Sequence, residues 1–420
     1  MRGWCLVIVL VGGLLGGLGE PHCAAADPEA SAAAVAALRE AVAATEAWPA
    51  AAADKPWAAT PLTRGDADEA RRILWQARLA RLRTERADEV AKRELRDGDL
   101  VMPFFMRTFG EKPAGGRSLW ISLHGGGGAP AQVNDQQWEN QQRLYEVPEG
   151  VYCSPRAPTN TWNLWHEPHI DRLFQRLIED LVAVEGVDPD RVYILGYSAG
   201  GDGVYQLAPR MADHWAAAAM MAGHPNGVSL EPLRNVPFAL QVGELDTAYD
   251  RARIGAEYGA ALQRLHDADP EGYRALVKIH AGKGHWMDRD DAAALPWMAR
   301  FTRDPVPKRV VWQPTAASPG SCYWLAVPPG EKLDGVTIIA RRDAQTVTIE
   351  SAEGIGRLLV RLDDRMLDCD QPVRIMHGDR VLYDGPVDRS IANLEATLER
   401  RGDASLTFSC QVALEFNAGR

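Results

Sequence analysis

The amino-acid sequence predicts an α/β protein whose mostly parallel sheet is covered by helices, with a helical arm before it and a β-rich module after it. Three observations carry that expectation. Over residues 100–302, short apolar runs rich in β-branched and aromatic residues alternate with stretches of helical spacing. The run 192–195 passes straight into Gly196-Tyr197-Ser198-Ala199-Gly200, so a serine sits at a sharp strand-to-helix corner. Past the break at 305–308 the alternation stops and short strand-like runs take over.

The elements follow in order. Residues 1–26 hold Arg2, an apolar run over 5–18, and Ala24, Ala25 and Ala26 before Asp27, the charged, apolar, small-residue order of a secretory signal. The run is shorter than the roughly 20 residues a spanning helix needs, and Gly12, Gly13, Gly16 and Gly17 loosen it. Export to a secreted or periplasmic location is expected, and a stable membrane span is not. Lipid attachment at Cys23 is disfavoured by Glu20, Pro21 and His22 ahead of it. Residues 27–99 read as an alanine-rich tether followed by an amphipathic helix. That helix opens with Asp66 and Glu69 in a capping-box spacing and carries Ile73, Leu74, Ala77, Leu79 and Leu82 as far as about Leu95.

Over 100–304 the expected strands are 101–109, 119–123, 150–153, 192–195, 216–221, 237–242 and 275–280, with helices at 169–184, 199–212, 248–266 and 290–301. Strands separated by helices imply parallel crossovers, which gather functional loops at the carboxyl ends of the strands. Residues 308–420 read as a β-sandwich-like module interrupted by one helix at 393–401.

Composition narrows the function. The 420 residues are 46% apolar and 25% charged, as in an ordinary globular protein. Lys and Arg total 46 against 57 Asp and Glu, a net charge of −11 without a basic cluster, which excludes nucleic acid and anionic membrane surfaces as partners. Of six cysteines, Cys5 and Cys23 fall within the signal, while Cys153, Cys322, Cys369 and Cys410 remain in a compartment that permits disulfides. Strand-like surroundings make Cys322 with Cys410 the expected pair.

The chemistry concentrates in four stretches. Gly196-Tyr197-Ser198-Ala199-Gly200 is the G-x-S-x-G pattern that presents a nucleophilic serine at the top of a sheet. His124-Gly125-Gly126-Gly127-Gly128 ends another expected strand, and only a glycine-rich loop lets backbone N–H groups approach a developing oxyanion closely. Gly126 and Ala199 are the expected donors, with Gly125 as the alternative; His124 is expected to hold the loop. Asp246 follows the strand 237–242 and His285 follows 275–280, so acid and imidazole fall on the same edge as Ser198, in the chain order of an α/β-hydrolase. Glu244 and Asp250 compete with Asp246 for the acid role, and His280 reads as a packed strand residue.

Together these four stretches, with Gly282-Lys283-Gly284-His285-Trp286 as the last, resemble the secreted α/β-hydrolases of the polyhydroxybutyrate-depolymerase and feruloyl-esterase-like group over about 100–302. The resemblance implies ester hydrolysis without a metal or organic cofactor, with Ser198 as nucleophile, Asp246 as orienting acid and His285 as base. It implies a small-molecule or carbohydrate-linked ester as substrate. The arm and the β-rich module lie outside it.

Trp162 and Trp165 either wall a substrate pocket or cap the core, and Tyr197, His224 and Trp286 are further pocket candidates. His166, His169 and Asp171 have ligand-like spacing, but one short loop supplies few metal ligands, and no metal is expected. Two other functions stay open: a serine peptidase of the prolyl-oligopeptidase-like type, for which the extra module would cover the cleft, and a non-catalytic glycan-binding protein.

Overall fold

The computed structural model describes residues 26–44, 55–315, 320–333 and 335–416. Apart from Ala26, the expected signal lies outside the described residues. Eight strands form the main sheet: β1 (Glu94–Asp97), β2 (Leu100–Phe109), β3 (Arg117–Leu123), β4 (Gly150–Pro155), β5 (Val187–Tyr197), β6 (Ala217–Met221), β7 (Phe238–Gly243) and β8 (Ala275–His280). Their order is β1-β2-β4-β3-β5-β6-β7-β8, antiparallel for the first three strands of that order and parallel from β4 onward. This is an α/β-hydrolase fold. The connection direction reverses between β3 and β5, and that reversal opens a crevice beyond their carboxyl ends.

The apolar runs lack a polar face because both faces of the sheet are covered. Ile121, Val192 and Ile194 pack into one core, whereas Trp120, Tyr193 and Leu195 pack into the other. The helices that cover them are α3 (Ala131–Gln141), α4 (His169–Glu185), α5 (Ala199–Arg210), α6 (Arg251–Ala268) and α7 (Ala294–Met298), preceded in the chain by α1 (Pro28–Ala44) and α2 (Arg64–Lys92).

Three elements depart from the sequence expectation. The alanine-rich segment is not a tether throughout: α1 buries Ala34, Val35 and Leu38 against α2 and against Leu394 and Leu398 of the C-terminal helix α8 (Ile391–Arg401). Alanine is the best helix former, and its small side chain lets helices approach closely. The long helix α2 opens earlier than the Asp66–Glu69 spacing suggests, at Arg64 with Thr63 as its cap accepting the Asp66 N–H, and it stops at Arg93, which adopts a left-handed conformation, so Leu95 is buried as a strand residue instead. The helix α3 is largely polar and buries Asn134 and Gln141, which leaves no apolar stripe to announce it.

The C-terminal module has two sheets. One contains β9 (Arg309–Trp312), β12 (Thr337–Asp343), β13 (Thr346–Glu353), β15 (Val373–His377) and β16 (Arg380–Gly385). The other contains β10 (Ser321–Cys322), β11 (Leu325–Ala326), β14 (Arg357–Leu362) and β17 (Cys410–Glu415). Its core is continuous with that of the main sheet. At the seam, Asp213 is buried, pairs with Arg401 at 2.8 Å and accepts the Tyr323 N–H at 2.9 Å, and these cationic and N–H partners hold its carboxyl below the usual range despite burial. Arg303 bridges Asp190 and Asp403.

The expected Cys322–Cys410 disulfide is not formed, and both thiols are free and buried. β10 and β17 are separated by β11 and β14, a span of roughly 14 Å at the ordinary strand spacing, twice what a disulfide bridges. Cys410 instead lies beside Cys369.

Candidate active site

Ser198 stands between β5 and α5 with φ 59° and ψ −121°, a conformation that non-glycine residues hold only where their surroundings enforce it. Its N–H donates to the Met221 carbonyl at 2.9 Å. The flanking glycines answer to space: a Cβ at Gly196 would lie 2.3 Å from the Gly200 carbonyl oxygen, and one at Gly200 would lie 2.1 Å from that of Leu123. Any side chain there would push the corner out of shape.

The loops after β7 and β8 bring the acid and the imidazole to this corner. Asp246 is buried and His285 is half exposed, and their Oδ2 and Nδ1 atoms are 2.7 Å apart. A carboxylate only accepts, so Nδ1 carries the proton and Nε2 is left to accept from the Ser198 hydroxyl at 3.0 Å. Glu244 instead accepts the Gly282 N–H, and Asp250 pairs with Arg253. His280 is buried against Gln241.

Tyr197 fixes the loop that bears the imidazole. Its hydroxyl donates to the His285 carbonyl at 2.6 Å and accepts the Met287 N–H at 3.0 Å, while its ring meets the His285 ring edge-on. No sequence pattern marks this bridge, because the tyrosine occupies a position where the motif accepts any residue.

The glycine loop after β3 is held from behind by His124. The Ala157 N–H donates to Nε2, so Nδ1 carries the proton and donates to the Gly125 carbonyl at 2.6 Å. Burial holds the imidazole down to about 3, so it stays neutral across physiological pH. Because the peptide bond is trans, anchoring the Gly125 carbonyl toward His124 turns the Gly126 N–H the other way. Gly126 has φ 101°, and the adjacent Gly127 N–H donates to Asn134 of α3 at 2.8 Å, so α3 buttresses the loop. Gly125 packs directly against Ser198.

A cleft of about 1030 Å³ opens above Ser198, and Gly125, Gly126, Ala199, His285, Trp162, Tyr197, His224 and Trp286 are among the residues that line it. Trp165 is absent from its walls. Its side chain is fully buried, its indole N–H donates to the His124 carbonyl, and its ring sits edge-on to His124, so it supports the glycine loop from below. The pocket role expected for Trp165 is thus corrected: of the two tryptophans in that loop, only Trp162 reaches the cleft. His169 lies beside Glu167 and Asp171 pairs with Arg210. Among the described residues no cluster of three or more His, Cys, Asp or Glu is arranged to hold a metal ion, and no helix is long and apolar enough to cross a membrane.

No family model matches the chain. Over 118 residues it is 34% identical to "Putative esterase NocK" of Nocardia uniformis subsp. tsuyamanensis, a match covering 26% of this chain and 33% of the relative. The chain thus spans a third of the length of the curated relative it matches. Among solved structures it is similar to a thermostable esterase (16% identity, TM-score 0.39, covering 50% of this chain and 62% of the other). It is also similar to esterase PE8 (21%, 0.34, covering 48% and 99%) and to a ferulic acid esterase (17%, 0.32, covering 47% and 98%). At such scores the fold rests on the strand order described above.

Proposed function

We propose that this protein is an exported serine hydrolase that cleaves carboxylic esters through an acyl-enzyme. The single observation that carries the reading is the chain of hydrogen bonds from Asp246 through His285 to a serine held in a strained corner. His285 takes the Ser198 proton as the hydroxyl attacks the ester carbonyl, and Asp246 fixes the imidazole tautomer and balances the imidazolium. The resulting oxyanion is met by the N–H groups of Gly126 and Ala199. Protonated His285 then gives its proton to the departing alcohol. Water enters, is deprotonated by the same imidazole, and releases the acid.

Of the two donors weighed in the glycine loop, Gly126 is favoured over Gly125, because the carbonyl anchored by His124 aims the Gly126 N–H away from the imidazole. Ester rather than terminal-peptide cleavage is favoured by the walls of the cleft, whose lining residues all fall between Gly125 and Arg289. Among the described residues the β-rich module lends it no side chain, as a domain selecting a peptide terminus would. Export rests on the residue order of the first 26 positions.

The test is hydrolysis of 4-nitrophenyl acetate and butyrate, beside aminoacyl 4-nitroanilides, by the mature protein and by Ser198→Ala. Ester turnover is expected, with kcat falling by about 10⁴-fold or more in the variant. Ester turnover that survives the substitution, or turnover of the anilides alone, would overturn the reading.

A further inference from the structure

We infer that the ester this cleft takes carries a negatively charged group, a carboxylate, received between Arg143 and Arg289. The inference rests on the ester-hydrolase reading and names its substrate class. Three guanidinium groups line the cleft, Arg143, Arg251 and Arg289, against one carboxylate, Asp202. Asp202 is largely buried and accepts the His224 N–H at 2.5 Å. Arg251 is committed to the acid loop, 3.8 Å from Asp246 and stacked over the Tyr249 ring.

Arg143 and Arg289 differ from it. Both are exposed, and among the described residues neither forms an ion pair with a carboxylate, although Arg289 lies close enough to Asp291 to act on its carboxyl; the Arg143 side chain bonds only the Glu139 carbonyl of α3, the helix it follows, at 3.4 Å. Some exposed arginines elsewhere in this acidic chain find such partners, as Arg172 does with Asp97 and Arg374 with Asp384, while others among the described residues, such as Arg264 and Arg380, do not; what sets Arg143 and Arg289 apart is that they line the cleft. The two acidic neighbours of Arg289 in sequence are both drawn to Lys283, with Asp288 at 2.8 Å and Asp290 at 3.3 Å, so neither pairs with Arg289, which lines the cleft.

These two arginines stand on adjoining segments. Two residues beyond Arg143, the Tyr145 hydroxyl donates to Asp291, itself two residues beyond Arg289, and both members of that bond are buried. One buried bond therefore ties the two segments into one wall. The backbone supports the same conclusion: Asp288 and Arg289 both take positive φ, 54° and 68°, a left-handed pair that costs energy without glycine and recurs where a side chain must be presented to a ligand. Paired guanidinium groups suit a planar carboxylate, which they can bind in bidentate fashion. The exposed faces of Trp162 and Trp286 give the rest of such a substrate an apolar surface.

The test compares matched esters at low salt: mono-4-nitrophenyl glutarate against its methyl ester for a charge on the acyl side, and 4-carboxyphenyl butyrate against its methyl ester for a charge on the alcohol side. A third probe, 4-sulfophenyl butyrate, separates a planar carboxylate from a tetrahedral anion. One carboxylate ester is expected to be preferred in kcat/KM by about ten-fold or more. That ratio should fall with added salt, collapse toward one in Arg143→Gln/Arg289→Gln, and partly return in the double lysine variant. Turnover of the neutral esters with no preference for either carboxylate, or a preference that survives the double substitution, overturns the inference and leaves the ester reading standing. Preference for the sulfonate alone overturns the carboxylate assignment. If no ester is turned over, the ester reading fails, and a titration decides the subsite independently. In it, 4-carboxyphenyl butyrate or its methyl ester is added to Ser198→Ala and followed by tryptophan fluorescence. Tighter binding of the acid that the double substitution abolishes supports the subsite, and equal binding of acid and methyl ester overturns it.

Discussion

At the cleft, Ser198, Tyr249, Asp250, Asp288 and Arg289 all take positive φ, and Trp162, Tyr249 and Trp286 stand exposed. At the seam between the main sheet and the β-rich module burial replaces exposure: Asp213, Arg303, Tyr323 and Arg401 are buried and each finds a polar partner. The same chain thus concentrates exposure where a substrate would arrive and burial where the two parts are joined, whereas positive φ occurs in both regions, since Tyr323 at the seam takes φ 52°. Strained backbone persists only when the surrounding structure over-determines it, and the buried ion pairs and hydrogen bonds of the seam help to hold the sheet whose edge carries such loops. On this view the module contributes stability to the hydrolase sheet, whereas the chemistry belongs to the cleft alone.

The largest effect that separates the two regions is expected from Asp213→Ala. It strands the buried Arg401 guanidinium without its partner, a loss of about 3–5 kcal/mol, read as a lower denaturant midpoint. The activity of the molecules that remain folded should stay near that of the parent. A loss of activity without loss of stability would break the division of labour.

Tyr197→Phe tests the cleft in the opposite sense. Removing the hydroxyl that bridges the His285 carbonyl and the Met287 N–H should lower kcat about ten-fold through misplacement of the imidazole. KM and melting temperature should change little, and the pH dependence of kcat should move, since that profile reports the imidazole. Equal losses in stability and kcat would make the residue part of the packing instead.

The smallest effect comes from a buried group outside both regions. Asp180 of α4 faces Glu89 and, at 3.9 Å, Arg86 on α2, and burial first, then the nearby Glu89 carboxylate, pushes its carboxyl up to about 8. Between the ordinary carboxylate range and that value the folded protein holds a proton the unfolded chain has released, so this contribution to stability is complete at acid pH and fades as pH rises toward 8. Asp180→Asn should therefore raise stability at pH 7 relative to acid pH and flatten the slope of melting temperature against pH. An unchanged slope would contradict the assignment.

What could be read from sequence follows how local the signal was. Ser198, Asp246 and His285 each sit just past a recognisable strand, so their meeting at one edge was predictable from the alternation alone. Trp162 and Trp165 lie three residues apart in one loop and nothing local distinguishes them; the structure sends Trp165 under the glycine loop and Trp162 into the cleft. The helices α1 and α3 escaped because α1 carries only a thin stripe, Val35, Leu38 and Val42, among many alanines, and α3 is nearly uniformly polar. The disulfide expectation failed because strand order within the module, which sets β10 and β17 apart, is not written in any short stretch. The Tyr145–Asp291 bond joins residues 146 positions apart, beyond the reach of any motif.

The central claim is that Ser198, activated through His285 and Asp246, is the nucleophile. The most direct test treats the folded protein with a fluorophosphonate, which phosphonylates activated serine hydroxyls irreversibly, and maps the adduct by peptide mass spectrometry. The account predicts one adduct on the peptide bearing Ser198, absent in Ser198→Ala and much slowed in His285→Ala. An adduct on another residue, or none on protein shown to be folded, would contradict it.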